Sequence, residues 1–159
     1  MFIKSLTIKN FRCFENEPIQ FATPDGINSG SGLNIFIGEN GNGKTSVLEA
    51  ICYLTQSRLK TKNTITIKDF LCINKKVEII GETDEFETDN VYGKGKFKCK
   101  GFTFEAKARE GTQNPNLLDP LVFDNKVIPI SDDSAKDYEL RSDVTKPWGA
   151  SRLPEFNII

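Results

Sequence analysis

Histidine is absent from this chain of 159 residues, and tryptophan and methionine occur once each. Without an imidazole, and with no CxxC pair among Cys13, Cys52, Cys72 and Cys99, the spacing of a structural zinc site is missing. The four thiols are expected to be free, with Cys52 and Cys99 buried on apolar faces, which points to a reducing cytoplasm. No apolar run reaches the ~18 residues that span a bilayer, and the opening residues do not form a signal peptide. Charge of one sign is lacking too. A net charge of −1 gives no overall attraction to nucleic acid, so any such binding needs a local patch. The 38% hydrophobic and 27% charged fractions suit an ordinary globular chain of one domain.

What the chain does have is a phosphate-binding loop. Gly38-Glu39-Asn40-Gly41-Asn42-Gly43-Lys44-Thr45 fills every fixed position of GxxxxGK[ST]. A chance match in a chain this long is roughly a one-in-two-hundred event. Glycines let successive backbone N–H groups turn inward toward phosphate oxygens, and the helix that follows adds its unpaired amides and positive dipole end. Asn40, Gly41, Asn42, Gly43, Lys44, Thr45 and Ser46 are therefore the candidate nucleotide-binding residues. Lys44, the candidate catalytic residue, reaches the β- and γ-phosphates of ATP, and the Thr45 hydroxyl ligates Mg²⁺. An apolar strand, Leu33–Ile37, is expected to feed the loop. A helix over Ser46–Leu54, apolar around most of its circumference and so buried on several sides, leads out of it.

Upstream, Phe2–Lys9 alternates like a half-buried strand, Pro18–Phe21 forms a second, and Ala22–Gly32 is a polar loop. The run Ile-x-x-Leu-x-Ile-x-Asn-Phe-Arg-x-Phe from Ile3 to Phe14, followed by Asn40-Gly41-Asn42-Gly43-Lys44, resembles the opening of RecF/SMC/OLD-type ABC ATPases. The resemblance implies an α/β fold: the N-terminal lobe of a P-loop NTPase head, with an antiparallel β meander, in an incomplete domain. Residues 1–57 would hold strand, phosphate loop and helix, and residues 58–159 the β-rich part. It further implies a C-terminal lobe, a homodimer of heads closing around ATP, work on DNA, and a place for Arg12 near the nucleotide phosphates. Trp148-Gly149-Ala150-Ser151-Arg152 resembles a stretch of OLD-like, defence-associated ATPases, some coupled to a nuclease effector.

Beyond the helix, Ser57–Thr64 reads as an exposed loop, and Ile65–Phe70 and Lys76–Ile80 as strands. Tyr92–Cys99 and Phe102–Arg109 read as a hairpin about a Lys100-Gly101 turn. That pairing sets Cys99 opposite Phe102 and Phe97 opposite Phe104. It gathers Lys94, Lys96, Lys98, Lys107 and Arg109 on the other face, as a DNA-backbone patch or a solvated edge. Leu121-Val122-Phe123-Asp124 is one apolar residue short of a Walker B strand. Val127-Ile128-Pro129-Ile130 carries a proline unsuited to a central ladder, so both are rejected as magnesium sites.

Phosphoryl transfer needs a metal-holding acid, a group orienting the attacking water, and charges on the transition state. The ABC scheme draws these from a Walker B pair, a Leu-Ser-Gly-Gly signature and often a histidine, none of which stands here. ATP binding by this lobe, with hydrolysis only once a C-terminal lobe completes it, is the expectation. A transporter-type ATPase and a non-hydrolysing nucleotide-gated scaffold are the alternatives.

Overall fold

The computed structural model describes residues 2–55, 65–89, 96–108 and 121–130. Leu6 and Ile8 alternate with polar neighbours and build β1 (Ile3–Phe11), which turns tightly into β2 (Phe14–Gln20). Helix α1 (Lys44–Thr55) follows the glycine-rich loop. Three long strands complete the order: β3 (Val77–Asp89), β4 (Lys96–Ala108) and β5 (Leu121–Pro129). All pair antiparallel in one sheet with the order β2-β1-β3-β4-β5.

One sheet face carries the core. Leu6, Ile8, Val77, Ile79, Phe102, Phe104 and Ala106 are buried there against Val47, Ala50, Ile51 and Leu54 of α1. Tyr53 stacks on Phe104 with ring centroids 5.2 Å apart and meets Phe11 edge-on at 6.0 Å, the offset and T-shaped geometries that aromatic quadrupoles favour. The opposite face is polar. Lys9 donates to Glu78 at 2.6 Å, and Lys76 bridges Glu78 at 3.0 Å and Glu105 at 2.8 Å, a ladder crossing β1, β3 and β4.

Four expectations are corrected. Lys100-Gly101 is not a turn: β4 runs straight through it, so Cys99, Phe102 and Phe104 share one strand. Cys99 pairs with Pro129 and Gly101 with Ile128, an extra residue in β4 relative to β5, which marks a bulge. A bulge and a two-residue turn both skip one step of the alternation, so Cys99 and Phe102 still face the core. Phe97 pairs with Thr88, not with Phe104. Glycine is needed at 101 because a Cβ there would run into the Gly81 carbonyl of β3.

Leu33–Ile37 does not form a strand; Leu33, Ile35 and Ile37 are exposed, Ile37 by 90%. A strand needs a ladder partner, and none lies beside this run among the described residues. The α1 helix is buried on one face only, with Leu48 exposed by 41% and Cys52 and Tyr53 half-buried, because a single sheet face covers it. Ile67–Asp69 is a short 3-10 turn, not a strand. The Asp69 carboxylate accepts from Thr66 N–H at 2.8 Å and Thr66 Oγ1 at 3.0 Å, a local bond that competes with extended pairing.

The expected loop over 57–64 and the Trp148–Arg152 stretch lie outside the described residues. Leu121–Asp124 and Val127–Pro129 join in one edge strand whose last residue is the proline, where a missing N–H is tolerated.

Candidate phosphate-binding site

Gly41 and Gly43 take φ of +91° and +80°, dihedrals nearly closed to residues with a Cβ. They swing the loop back on itself before α1 begins, and the Gly43 carbonyl accepts the first helical bond from Val47 N–H at 3.0 Å. The opening amides of any helix lack an intrahelical partner, and the first turn of α1 holds no acidic residue to repel an anion. Lys44 folds over the loop and donates to the Gly38 and Glu39 carbonyls at 2.7 Å each. Its ammonium thus closes the loop back onto its own first residues. Asn40, Asn42 and Thr45 are exposed, and Ser46 is buried.

The loop rests on the β1–β2 turn. A Cβ at Gly43 would stand 2.6 Å from the Phe14 ring and 2.9 Å from Cys13 Sγ, so Gly43 is required twice, for its dihedral and for its lack of a side chain. That turn has only Arg12 and Cys13 between the paired Phe11 and Phe14, and both Asn10 (φ +54°) and Arg12 (φ +52°) are left-handed. Asparagine tolerates this region. For arginine it costs about 1–2 kcal/mol, at the first central position of a two-residue hairpin, where glycine is usual in a type II′ turn.

Side-chain bonds hold both residues in place. Buried Asn10 donates through Nδ2 to the Cys72 and Lys75 carbonyls at 2.8 Å each and accepts from Cys72 N–H at 2.7 Å. Arg12 N–H donates to the Asp69 carbonyl at 2.7 Å. The Arg12 guanidinium donates from Nε to Asp69 at 2.8 Å, from one terminal nitrogen to Glu49 at 2.5 Å, and from the other to Ser46 Oγ at 3.4 Å. Its carbon also lies 5.1 Å from the Phe11 ring centroid. Partial burial opposes the charge, but the bonds to Asp69 and Glu49 outweigh it, so the pKa lies above its ordinary value.

Sequence reasoning singled out residues 40–46 and Arg12, and the structure brings Arg12 to Ser46 at the foot of the same helix. It did not single out Cys13 and Phe14 as the floor under Gly43, nor Asp69 and Glu49 as partners of Arg12. Glu49 stands three residues after Ser46, so helical spacing could have placed both on one face; Asp69 left no such signal.

The lysine patch loses its geometric basis with the hairpin. Lys98 and Lys107 are exposed toward opposite ends of β4, and the intervening outer face carries Glu105 beside Glu78 and Lys76. Lys94 and Arg109 lie outside the described residues, and of Lys96 only its place in β4 is described. No group of histidine, cysteine or carboxylate side chains suited to a metal ion occurs among the described residues. No described helix is long and apolar enough to cross a membrane.

Comparison with known proteins adds the family dimension. The AAA domain model matches residues 5–143. The DNA replication and repair protein RecF of Streptococcus gordonii is 41% identical over 76 residues, 48% of this chain and 18% of that protein. RecF of a Geobacillus species is 38% identical over 71 residues (45% and 16%), and that of Listeria welshimeri 35% over 75 (47% and 18%). The chain thus spans less than a fifth of the relatives it matches.

Proposed function

The chain belongs to the AAA domain family, as the N-terminal lobe of a RecF/SMC-type P-loop ATPase, and we propose that it binds Mg·ATP through residues 38–46. The carrying observation is the loop geometry: two left-handed glycines, one packed on Phe14 and Cys13, with Lys44 folded back onto the Gly38 and Glu39 carbonyls. In this reading the amides from Asn40 to Lys44 surround the β-phosphate. Lys44 exchanges its bonds to the Gly38 and Glu39 carbonyls for β- and γ-phosphate oxygens, and the exposed Thr45 hydroxyl ligates Mg²⁺. The metal neutralises charge on the phosphates when bound.

The likeness to DNA replication and repair proteins supports an ATPase head acting on DNA in the cytoplasm. Hydrolysis would fall to the lobe joined by its C-terminal counterpart and dimerised. DNA-stimulated turnover separates this reading from a transporter-type ATPase, and any steady-state turnover separates it from a nucleotide-gated scaffold. No described surface singles out the residues that touch DNA.

The direct test is calorimetric titration of the full-length protein with Mg·ATP beside Lys44→Ala. Charge-assisted bonds of about 1.5–3 kcal/mol each predict at least a tenfold loss of affinity. Equal affinity in the two proteins removes the assignment.

A further inference from the structure

We propose that the far ends of β3 and β4, Phe86–Asp89 paired with Lys96–Cys99, are an arm jointed to the rest of the sheet. The arm opens and re-aims as a unit, without parting the near side of the sheet from α1.

A line of register breaks marks the joint. Lys4 is extra in β1 between Ile3 and Ser5, which pair with the consecutive Thr83 and Glu82. Residues 83–85 of β3 stand against Lys100 alone in β4, and Lys100 is in turn extra against Ile128 and Pro129 of β5. Glu82 pairs with Ser5 on one side and Gly101 on the other, so the three breaks lie side by side across the sheet. Each such break leaves residues out of the ladder, bends its strand and raises the local twist.

The sheet narrows at the same line. On the near side β3 and β4 run between β1 and β5. β1 begins at Ile3, opposite Thr83, and β5 ends at Pro129, opposite Cys99. Past that level β3 and β4 have only each other as ladder partners among the described residues, with one added bond from Ile130 N–H to the Lys98 carbonyl at 3.1 Å. Two strands alone are marginally stable in water, and a third strand or a packed helix is what secures them.

Helix backing ends there as well. Leu54, in the last turn of α1, lies 2.7 Å from where a Cβ of Gly81 would stand. Val77, Ile79, Phe102, Phe104 and Ala106, the residues of β3 and β4 in the buried cluster with α1, all belong to the near side. Across the joint, Phe86 stacks on Phe102 with ring centroids 5.0 Å apart. On the edge, Lys4 meets Asp84 at 3.0 Å, an exposed pair that adds little.

Amide hydrogen exchange of the full-length protein, read in overlapping peptides for the wild type and Phe86→Ala, tests the joint. In the wild type, amides of 86–89 and 96–99 are expected to exchange together, at least about tenfold faster than those of 77–81 and 102–106, with the step falling between Glu82 and Phe86. Phe86→Ala removes the stack and should speed the arm about tenfold more, leaving the near side unchanged. One common rate for both parts makes the sheet a single cooperative unit and overturns the proposal. A smooth rise along β3 with no step is ordinary end fraying and overturns it too, a result the wild type gives without any variant. Equal acceleration of both parts in Phe86→Ala likewise removes the joint.

Discussion

Phe14 lies directly under Gly43, close enough that a methyl group in place of the glycine hydrogen would stand 2.6 Å from its ring. Gly41, two residues earlier, has the same left-handed sense of φ but nothing within 4 Å of its would-be Cβ. The two positions separate backbone strain from packing within one loop.

Gly41→Ala therefore meets only the dihedral penalty of about 1–2 kcal/mol. Gly43→Ala meets the same penalty and must also displace Phe14 and Cys13, which overpacking precedents put at a further 1–3 kcal/mol or so. Chemical denaturation of both variants, with Mg·ATP titration beside it, is expected to rank Gly43→Ala the more damaged by both measures. Equal losses would mean that the β1–β2 turn does not support the loop.

A second close approach fixes the sheet. Gly101 sits at the β4 bulge, where a Cβ would strike the Gly81 carbonyl and lie 3.2 Å from the Glu82 Cα. Backbone cannot step aside as a side-chain tip can, so Gly101→Ala must part β3 from β4 or undo the bulge. A loss of 2 kcal/mol or more is expected, in the upper range for single substitutions. A variant as stable as the wild type would restore the alternative of a turn at Lys100-Gly101, since a turn leaves that position open to solvent.

These residues also show what could be read beforehand. The phosphate loop and its helix were legible because their signal is local: fixed glycines, a lysine and a helical run within about twenty residues. The break at Lys100-Gly101 was legible in place but not in kind, because alternation skips one step at a turn and at a bulge alike. The Leu33–Ile37 run has strand composition, yet it enters no ladder among the described residues: Leu33 N–H turns back to the Gly30 carbonyl and Asn34 reaches Ala22 through its side chain. Composition without a ladder does not make a strand. Asp69, one partner of Arg12, and Cys72, one partner of Asn10, lie 57 and 62 residues away along the chain, and no periodicity in one sequence encodes such contacts. The Asn-Phe-Arg run ties the 65–76 segment to the turn beneath the loop.

The outer face of the sheet yields a prediction about acid. Glu78 accepts from Lys9 at 2.6 Å and from Lys76 at 3.0 Å, and its side chain is only 17% exposed. The bond from Lys9 is the foremost cause holding its carboxyl below the ordinary value of 4.5; burial opposes this, and Lys76 adds to it. A carboxyl with a lower pKa in the folded state binds fewer protons there than in the unfolded chain. Its stabilisation is therefore complete above the unfolded value and disappears as pH falls through the folded one. Glu78→Gln removes that linkage. At pH 7 the variant is expected to be less stable by about 1 kcal/mol, the scale of a partly screened pair with exposed lysines. Below about pH 4.5 the gap should narrow toward zero, because the wild-type carboxyl is then taking up its own proton. Urea denaturation of both proteins at pH 7, 5.5, 4 and 3 reads the difference directly. A gap that stays constant across that range would show that Glu78 acts by packing and not by charge. A gap that widens in acid would reverse the sign and contradict the ladder from Lys9 to Glu105.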